Sequence, residues 1–563
     1  MRVWTAITLF LLLLLNPIPN GYAEGTNASP TNNPCGYEKI KDDADYAGKE
    51  FNNPEELSLE PKKLEGEDKE SKVKYGRLTV KYGKNKIAGS DVCLRSYNGK
   101  LVGPTLRVKP GDSIEITLIN DLPPEKHQEE IIRTTRTILP DGCEYEELIG
   151  GAKNEPHNFN ITNFHTHGLH VDPRYCSDNV LRIMKPKQKE GDPAPQYTIK
   201  IKIPENHPSG TFWYHAHLHG STALQVSSGM AGAIIVEGGL DDIPEIENAE
   251  EKVFVFGQIA YDENGLIEDY KKLGYNSDEK KSWWQVLKRH TTINGQIVPT
   301  IYMHPGEVQR WRFIHAGIEE SINLGLRNKK TEKKIKLHEI AVDGIPLGKL
   351  DSWESIELQP GYRSDVLVEM PEGETLQEYE LIDEASSAAK SVNGEEVPSI
   401  LARVIVEGKL DKKMELPSDK QIAKVKGDVA PRNISDNEVI GEQKQNVVFG
   451  MISDQFMING KSFKPENKRI LKLNNAQIWK LSSQSDNHPF HIHVNPFQYD
   501  RIDPEGKDER IWRDTLMVTQ AHPEYIRSRY ELFSGKFVLH CHILEHEDKG
   551  MMQIVEIVDQ PTL

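Results

Sequence analysis

The sequence predicts an all-β protein of three Greek-key β-sandwich domains, and three observations predict it. From about residue 75 the 563-residue chain reads as short runs of β-branched and aromatic residues broken by Gly, Pro and Asn. Helical periodicity over long windows is scarce. One phrase recurs three times: Tyr97-Asn98-Gly99 through Gly103-Pro104-Thr105-Leu106 to Pro110-Gly111-Asp112, Ile293-Asn294-Gly295 through Pro299 to Pro305-Gly306-Glu307, and Ile458-Asn459-Gly460 through Pro465 to Ala476. Each copy reads as turn, strand, turn, strand, so one sandwich is repeated three times.

Taken in order, the chain opens on Met1-Arg2 and an uncharged apolar run, Val3 to Leu15, followed by Gly21-Tyr22-Ala23. That is the pattern of a secretory signal over residues 1–23, cut before Glu24, and too short for a bilayer span. The first domain is expected over 24–240, with strands at Arg77 to Tyr82, Ser113 to Ile119, Tyr197 to Ile203 and Gly232 to Glu237. The polar stretches Glu24 to about Tyr75 and Pro123 to Pro156 are expected to be loops over it. An acidic linker from Asp241 to Glu251 opens the second domain, 241–420, and the charged stretch Lys409 to Asn446 leads into the third, 421–563. Charge runs such as Lys329 to Lys336 read as solvated faces.

Composition narrows the function. Lys plus Arg number 69 against 86 Asp plus Glu, a formal charge of −17, which excludes a partner held by phosphate neutralisation and so argues against nucleic acid. No membrane span is expected, and export, periplasmic or extracellular, gives the cysteines meaning. Cys35, Cys93, Cys143 and Cys176 allow three disulfide connectivities, or stay as buried thiols. Asn27, Asn160 and Asn433 open Asn-X-Ser/Thr sequons.

Chemistry concentrates in four segments: His165-Thr166-His167, His215-Ala216-His217, His488-Pro489-Phe490-His491-Ile492-His493, and His540-Cys541-His542 followed by His546 and Met551. They hold ten of the twenty histidines. On a strand each His-X-His pair projects two imidazoles to one side, about 7 Å apart. Four pairs converging make an eight-imidazole cage. In His540-Cys541-His542 the imidazoles face one way and the thiolate the other, so one tripeptide serves two metal sites. Cys541 with His488, His546 and a weak Met551 thioether is the ligand set of a blue copper centre. Structural zinc sites usually show paired thiolates, and only one thiol is available here.

In these four motifs the sequence resembles the multicopper oxidases, laccase-like proteins of three cupredoxin domains, and its run from His542 to Glu547 is similar to that of bacterial spore-coat-type laccases. The resemblance implies four copper ions. His488, Cys541, His546 and axial Met551 would hold the type 1 copper, and His165 with His491 the type 2. His167, His215 and His542 would hold one type 3 copper, and His217, His493 and His540 the other. Thr166 stands where many relatives have Trp, a departure expected to touch packing alone. The resemblance further implies that a small-molecule donor, phenolic or aromatic amine, gives single electrons at an exposed edge of His488. They pass along Cys541 to His540 and His542, where O2 becomes two waters. Glu547 and Asp178 would supply protons.

Two alternatives stand beside this reading. A metallo-oxidase would take electrons from Cu(I), Fe(II) or Mn(II); the 11 methionines form no cluster, but acidic residues also bind Fe(II) and Mn(II). A non-enzymatic cupredoxin assembly, such as a carrier or copper store, needs fewer ligands than the twelve candidates present. His170 and His219 read as solvent-facing or hydrogen-bonded core residues. His157, His207, His315 and His522 carry no spacing argument, and Ser282-Trp283-Trp284 reads equally as core, rim or pocket wall. The oligomeric state is not encoded in any readable motif.

Overall fold

A computed structural model describes residues 34–35, 48–63, 70–125, 133–140, 142–151, 153–268, 288–373, 376–387, 389–391, 396–439, 444–453 and 455–559. The expected signal segment, Asn27 and Ser282 to Trp284 lie outside them. Apart from one two-stranded hairpin, the described strands form three pairs of sheets in chain order. In the first pair Glu70–Ile87 joins Glu60–Lys63, Ser90–Tyr97 and Ser113–Asn120, which in turn carries Gln196–Lys202. The opposing sheet is Leu106–Val108, Ala231–Val236, Gly210–His215 and His165–His167. Two six-stranded sheets follow, from strands between residues 250 and 406, then a six- and a five-stranded sheet between 445 and 558. Each pair closes on its own apolar core, around Leu78, Ile116 and Ile234, then Phe254, Trp311 and Val366, then Phe449, Trp479 and Leu539.

The recurring phrase has a common structure. Asn98, Asn294 and Asn459 have φ of 55°, 54° and 53°, and the glycines that follow have 81°, 78° and 72°. Two successive positive φ values are what a tight type I′ turn requires, and Asn-Gly supplies them at least cost. Each Asn side-chain oxygen accepts a backbone N–H of a neighbouring strand, from Thr79, Val255 and Val448 at 2.8–2.9 Å. The same parallel pairing also recurs, Val73 to Thr79 with Ser113 to Ile119, Glu250 to Phe256 with Gln309 to His315, and Gln445 to Phe449 with Trp479 to Ser483. Parallel neighbours need crossover connections, so these are not simple meanders.

The polar stretches are more ordered than their composition suggests. Pro123 to Pro156 contains the hairpin Arg133–Ile138 and Glu144–Gly150, whose Leu148 packs on Phe463, Val538 and Met552 of the third pair of sheets. Within 409–446 the helix Asp419–Val429 buries Ile422 against Leu240, Ile340 and Leu367. Asp241 and Glu251, read as linker, pair with buried Arg310 and Arg312. The four early cysteines form two disulfides, Cys35–Cys93 and Cys143–Cys176. Asn160 is buried with its amide oxygen on Arg95, which leaves no room for a glycan.

Candidate metal centres

Strand pairing brings the histidines together. His165–His167 pairs antiparallel with Gly210–His215, setting His215 opposite His165. In the third pair of sheets His491 lies opposite His540. The two halves meet ring to ring: His165 stacks on His493 and His167 on His491, with centroids 3.9 and 3.8 Å apart. All eight imidazoles are buried, and ligand atoms lie within 4.8 Å of one another in three triads, the first two sharing His167: His165, His167 and His491; His167, His215 and His542; His217, His493 and His540.

Backbone and carboxylate acceptors set the tautomers. The Nδ1–H groups of His215, His491 and His540 donate to the carbonyls of Ala216, Asp514 and Cys541 at 2.8–2.9 Å. His165 Nδ1 lies 3.1 Å from both Asp178 oxygens. Each Nε2 is thereby left as a lone pair. The Nε2 of His540 lies 3.1 Å from that of His217 and 3.3 Å from that of His493, so the three nitrogens converge on one point that a shared metal ion or an Nε2–H···Nε2 hydrogen bond can satisfy. His165, His215 and His491 Nε2 have no hydrogen-bond partner. An orphaned buried polar atom costs about 1–3 kcal/mol, so several in one cluster fit a metal-bound state. Burial holds the rings neutral, His215 at about 4 and His491 and His540 at about 3.

On the far face of the same strand, Cys541 Sγ lies 3.5 Å from His488 Nδ1 and 3.8 Å from His546 Nδ1, which are 3.3 Å from each other. Three ligands at about 2.0–2.3 Å from a shared ion in a trigonal array stand about 3.5–4 Å apart, so the triad fits one soft metal ion. Phe456 stacks on His546 at 4.0 Å, Phe449 lies beside His488 at 5.2 Å, and buried Met551 belongs to the same core. Burial pushes the Cys541 thiol up, so the thiolate requires the metal.

This pairing of a thiolate site with an eight-imidazole cluster coincides with three matches to family models described as multicopper oxidase, over residues 152–240, 264–399 and 430–561. The chain belongs to the multicopper oxidase family. The "Multicopper oxidase mco" of Staphylococcus aureus is 25% identical over 523 residues, 88% of this chain and 91% of that protein. The laccase of Bacillus subtilis (strain 168) is 24% identical over 497 residues, 83% of this chain and 90% of that protein. A solved multicopper oxidase of Campylobacter jejuni, titled a metallo-oxidase, shares the fold at TM-score 0.65 and 22% identity, covering 92% of this chain and 97% of that one.

In this multicopper oxidase the expected exposed edge of His488 is absent. The residue is fully buried, its Nε2–H spent on the Ser485 carbonyl at 2.8 Å. Neighbouring Asn487 donates to the carbonyls of Ala389 and Ser391, pinning a loop of the middle sheets nearby. Thr166 does more than pack: its backbone N–H and hydroxyl donate to Asp178 at 3.1 and 2.9 Å, the hydroxyl bond being one that Trp cannot make. Burial pushes the Asp178 carboxyl up to about 7. Glu547 is fully buried, accepts the Thr222 hydroxyl, and lies 3.5 Å from His217 Nδ1 and 3.7 Å from His540 Nδ1. Burial and Asp548 hold its carboxyl well above the usual range.

Several residues escaped sequence reasoning. Asp548, adjacent to Glu547, accepts the backbone N–H groups of Gly220, Thr222 and Ala223, and its place in the run His546-Glu547-Asp548 was the available signal. Asp514 and Thr515 touch His167 and His491, with nothing in local spacing to mark them. His170 donates to the Val494 carbonyl and His219 lies against Asn154, the first half-buried and the second buried.

Proposed function

We propose that this multicopper oxidase takes single electrons from a small metal ion, Cu(I), Fe(II) or Mn(II), and delivers them to O2. The observation that carries the choice of donor is the burial of His488, whose neighbour Asn487 is linked by hydrogen bonds to a group of carboxylates. From Asn487 the contacts run to the Ser391 carbonyl, and from the Ser391 hydroxyl to Glu396 at 2.9 Å. Glu396 also accepts the backbone N–H groups of Ser321 and Ser386. Burial, with help from Glu396 and Glu320, pushes Asp383 up to about 6, and burial raises Glu320 against its partner Arg289. Neighbouring acids that repel one another are relieved by a cation, and a net charge of −17 concentrates cations at the surface. A planar aromatic finds no imidazole edge to contact.

For the ligands we propose the reading the resemblance implied: His488, Cys541, His546 and Met551 for type 1; His165 and His491 for type 2; His167, His215, His542 and His217, His493, His540 for the two type 3 ions. When bound, four coppers store the four electrons O2 requires. Asp178 accepts His165 Nδ1–H and, with its carboxyl raised by burial, can take up a proton there, and the buried Glu547 carboxyl holds one beside His217 Nδ1. Thr222 and Thr166 orient these carboxyls. Export to an oxidising compartment is supported by the two disulfides. Among the described residues no helix is long and apolar enough to cross a membrane.

Exposed Met451 and Ile452, on the hairpin between Phe449 and Phe456, favour a second reading in which an apolar phenol docks beside the type 1 site. Oxygen uptake with Cu(I), Fe(II), Mn(II) and a phenol, measured in parallel on the copper-loaded protein and on Asp383→Asn/Glu396→Gln, decides between them. The metal-ion reading requires a loss of kcat/KM for ions with phenol oxidation unchanged; equal rates for both proteins on every ion sink it.

A further inference from the structure

The middle sheets hold none of the candidate ligands, yet one of their residues reaches the imidazole cluster. Arg363 opens the strand Arg363–Glu369 and is buried where all three pairs of sheets meet. Its Nε donates to the Thr211 carbonyl in the first pair at 3.4 Å, and Nη2 to the Asp343 carbonyl in the middle pair at 3.1 Å. Nη1 and Nη2 form a two-pronged ion pair with Asp514 in the third pair, Nη1 to Oδ1 at 2.8 Å. Asp514 Oδ1 in turn lies 3.2 Å from His167 Nε2, and the Asp514 carbonyl accepts His491 Nδ1–H at 2.8 Å. Thr515 donates its hydroxyl to Asp514 Oδ1 at 2.8 Å, with its oxygen 3.3 Å from His167 Nε2 and 3.1 Å from His491 Nδ1.

His167 is turned differently from its neighbours. Its Nδ1 lies 3.3 Å from His542 Nε2, so Nδ1 is the atom presented to the cluster and the proton belongs on Nε2. The Asp514 carboxylate selects that tautomer, and a guanidinium fork, unlike an ammonium, fixes the plane of a carboxylate. The backbone is shaped for the contact. A Cβ on Gly168, next to His167 and at φ +88°, would stand 2.3 Å from Arg363 Nη2 and 2.7 Å from Asp514 Oδ2. A Cβ on Gly361 would stand 3.0 Å from the His542 ring.

We propose that Arg363 is a positioning residue of the imidazole cluster, acting through Asp514 on His167 and His491, so that copper retention there depends on docking of the ligand-free middle sheets. The proposal rests on the ligand reading above. Its test is a chelator titration of the copper-loaded protein, following copper per chain, the blue thiolate band and the type 2 electron-spin signal. The variants are Arg363→Lys, which keeps the charge without the fork, and Arg363→Gln/Asp514→Asn, which removes both charges and so leaves none buried alone. The expected result is an unchanged blue band with cluster copper released at about 10–100-fold lower chelator concentration, the usual effect of losing a partner behind a metal ligand. Parent-like release in either variant overturns the proposal, as does parallel loss of blue and cluster copper. Failure of both variants to accumulate as folded protein also overturns it, since Arg363 is then a folding element. A parent protein that never binds more than the blue copper refutes the ligand reading instead.

Discussion

Replacing Asp178 separates two duties that its carboxylate performs at once. It accepts Thr166 N–H and Oγ1–H at 3.1 and 2.9 Å and faces His165 Nδ1 at 3.1 Å from both oxygens. In Asp178→Asn the amide oxygen still accepts from His165 and Thr166 N–H, while the amide nitrogen donates to the Thr166 hydroxyl, which rotates to accept. The His165 contact to the second oxygen is lost, together with the charge and the exchangeable proton. Asp178→Ala loses every bond and frees the His165 ring. The alanine variant is therefore expected to hold its type 2 copper about 10–100-fold less tightly, about 1.4–2.7 kcal/mol. The asparagine variant is expected to keep full copper and a normal anaerobic bleaching of the blue band by the donor. Its reoxidation by O2 slows about 10²–10⁴-fold, the range of a lost proton donor. Copper analysis and stopped-flow reoxidation read the two effects separately. An asparagine variant that reoxidises at the parent rate, or an alanine variant that keeps its copper, refutes the reasoning.

Glu547→Gln retains the Thr222 bond and is expected to slow reoxidation about 10²-fold with donor oxidation unchanged; normal turnover removes Glu547 from proton delivery. Met551→Leu, a nearly volume-conserving change at a fully buried site, is expected to cost under about 1.5 kcal/mol and to raise the type 1 potential in a redox titration, whereas a fall or no change rejects Met551 as axial ligand. Burial works to raise the Asp241 carboxyl, but Arg310 and Arg312 hold it down at about 2, below an unfolded value of about 4. Its contribution to stability is therefore complete above about pH 4 and is lost as pH falls towards 2. Asp241→Asn is expected to lower the melting temperature at pH 7 and to flatten that acid loss, as thermal scans across pH 2–7 measure.

The parts of this protein legible in the sequence were those encoded by local periodicity. Asn-Gly is not the signal by itself, since at Asn264-Gly265 only the glycine has positive φ; the repeat was legible because Asn98-Gly99, Asn294-Gly295 and Asn459-Gly460 each open the same turn-strand-turn-strand phrase. Strand alternation likewise makes His-X-His a two-imidazole motif and sets Cys541 opposite His540 and His542. Polar composition, by contrast, misled about 409–446 and 123–156, because the apolar Ile422 and Leu148 within them find apolar partners far along the chain.

What the sequence by itself determined is the inventory of candidate ligands and the period that turns them to one side. Only the tertiary structure decided which nitrogen each histidine presents, that His488 is closed to solvent, that Thr166 bonds Asp178, and that Arg363 backs the cluster through Asp514. The physical reason is one of range. Side-chain direction along a strand is a property of adjacent residues, whereas burial, tautomer and ion pairing depend on groups such as Arg363 and Asp514, 151 positions apart, that only the closed fold brings into contact.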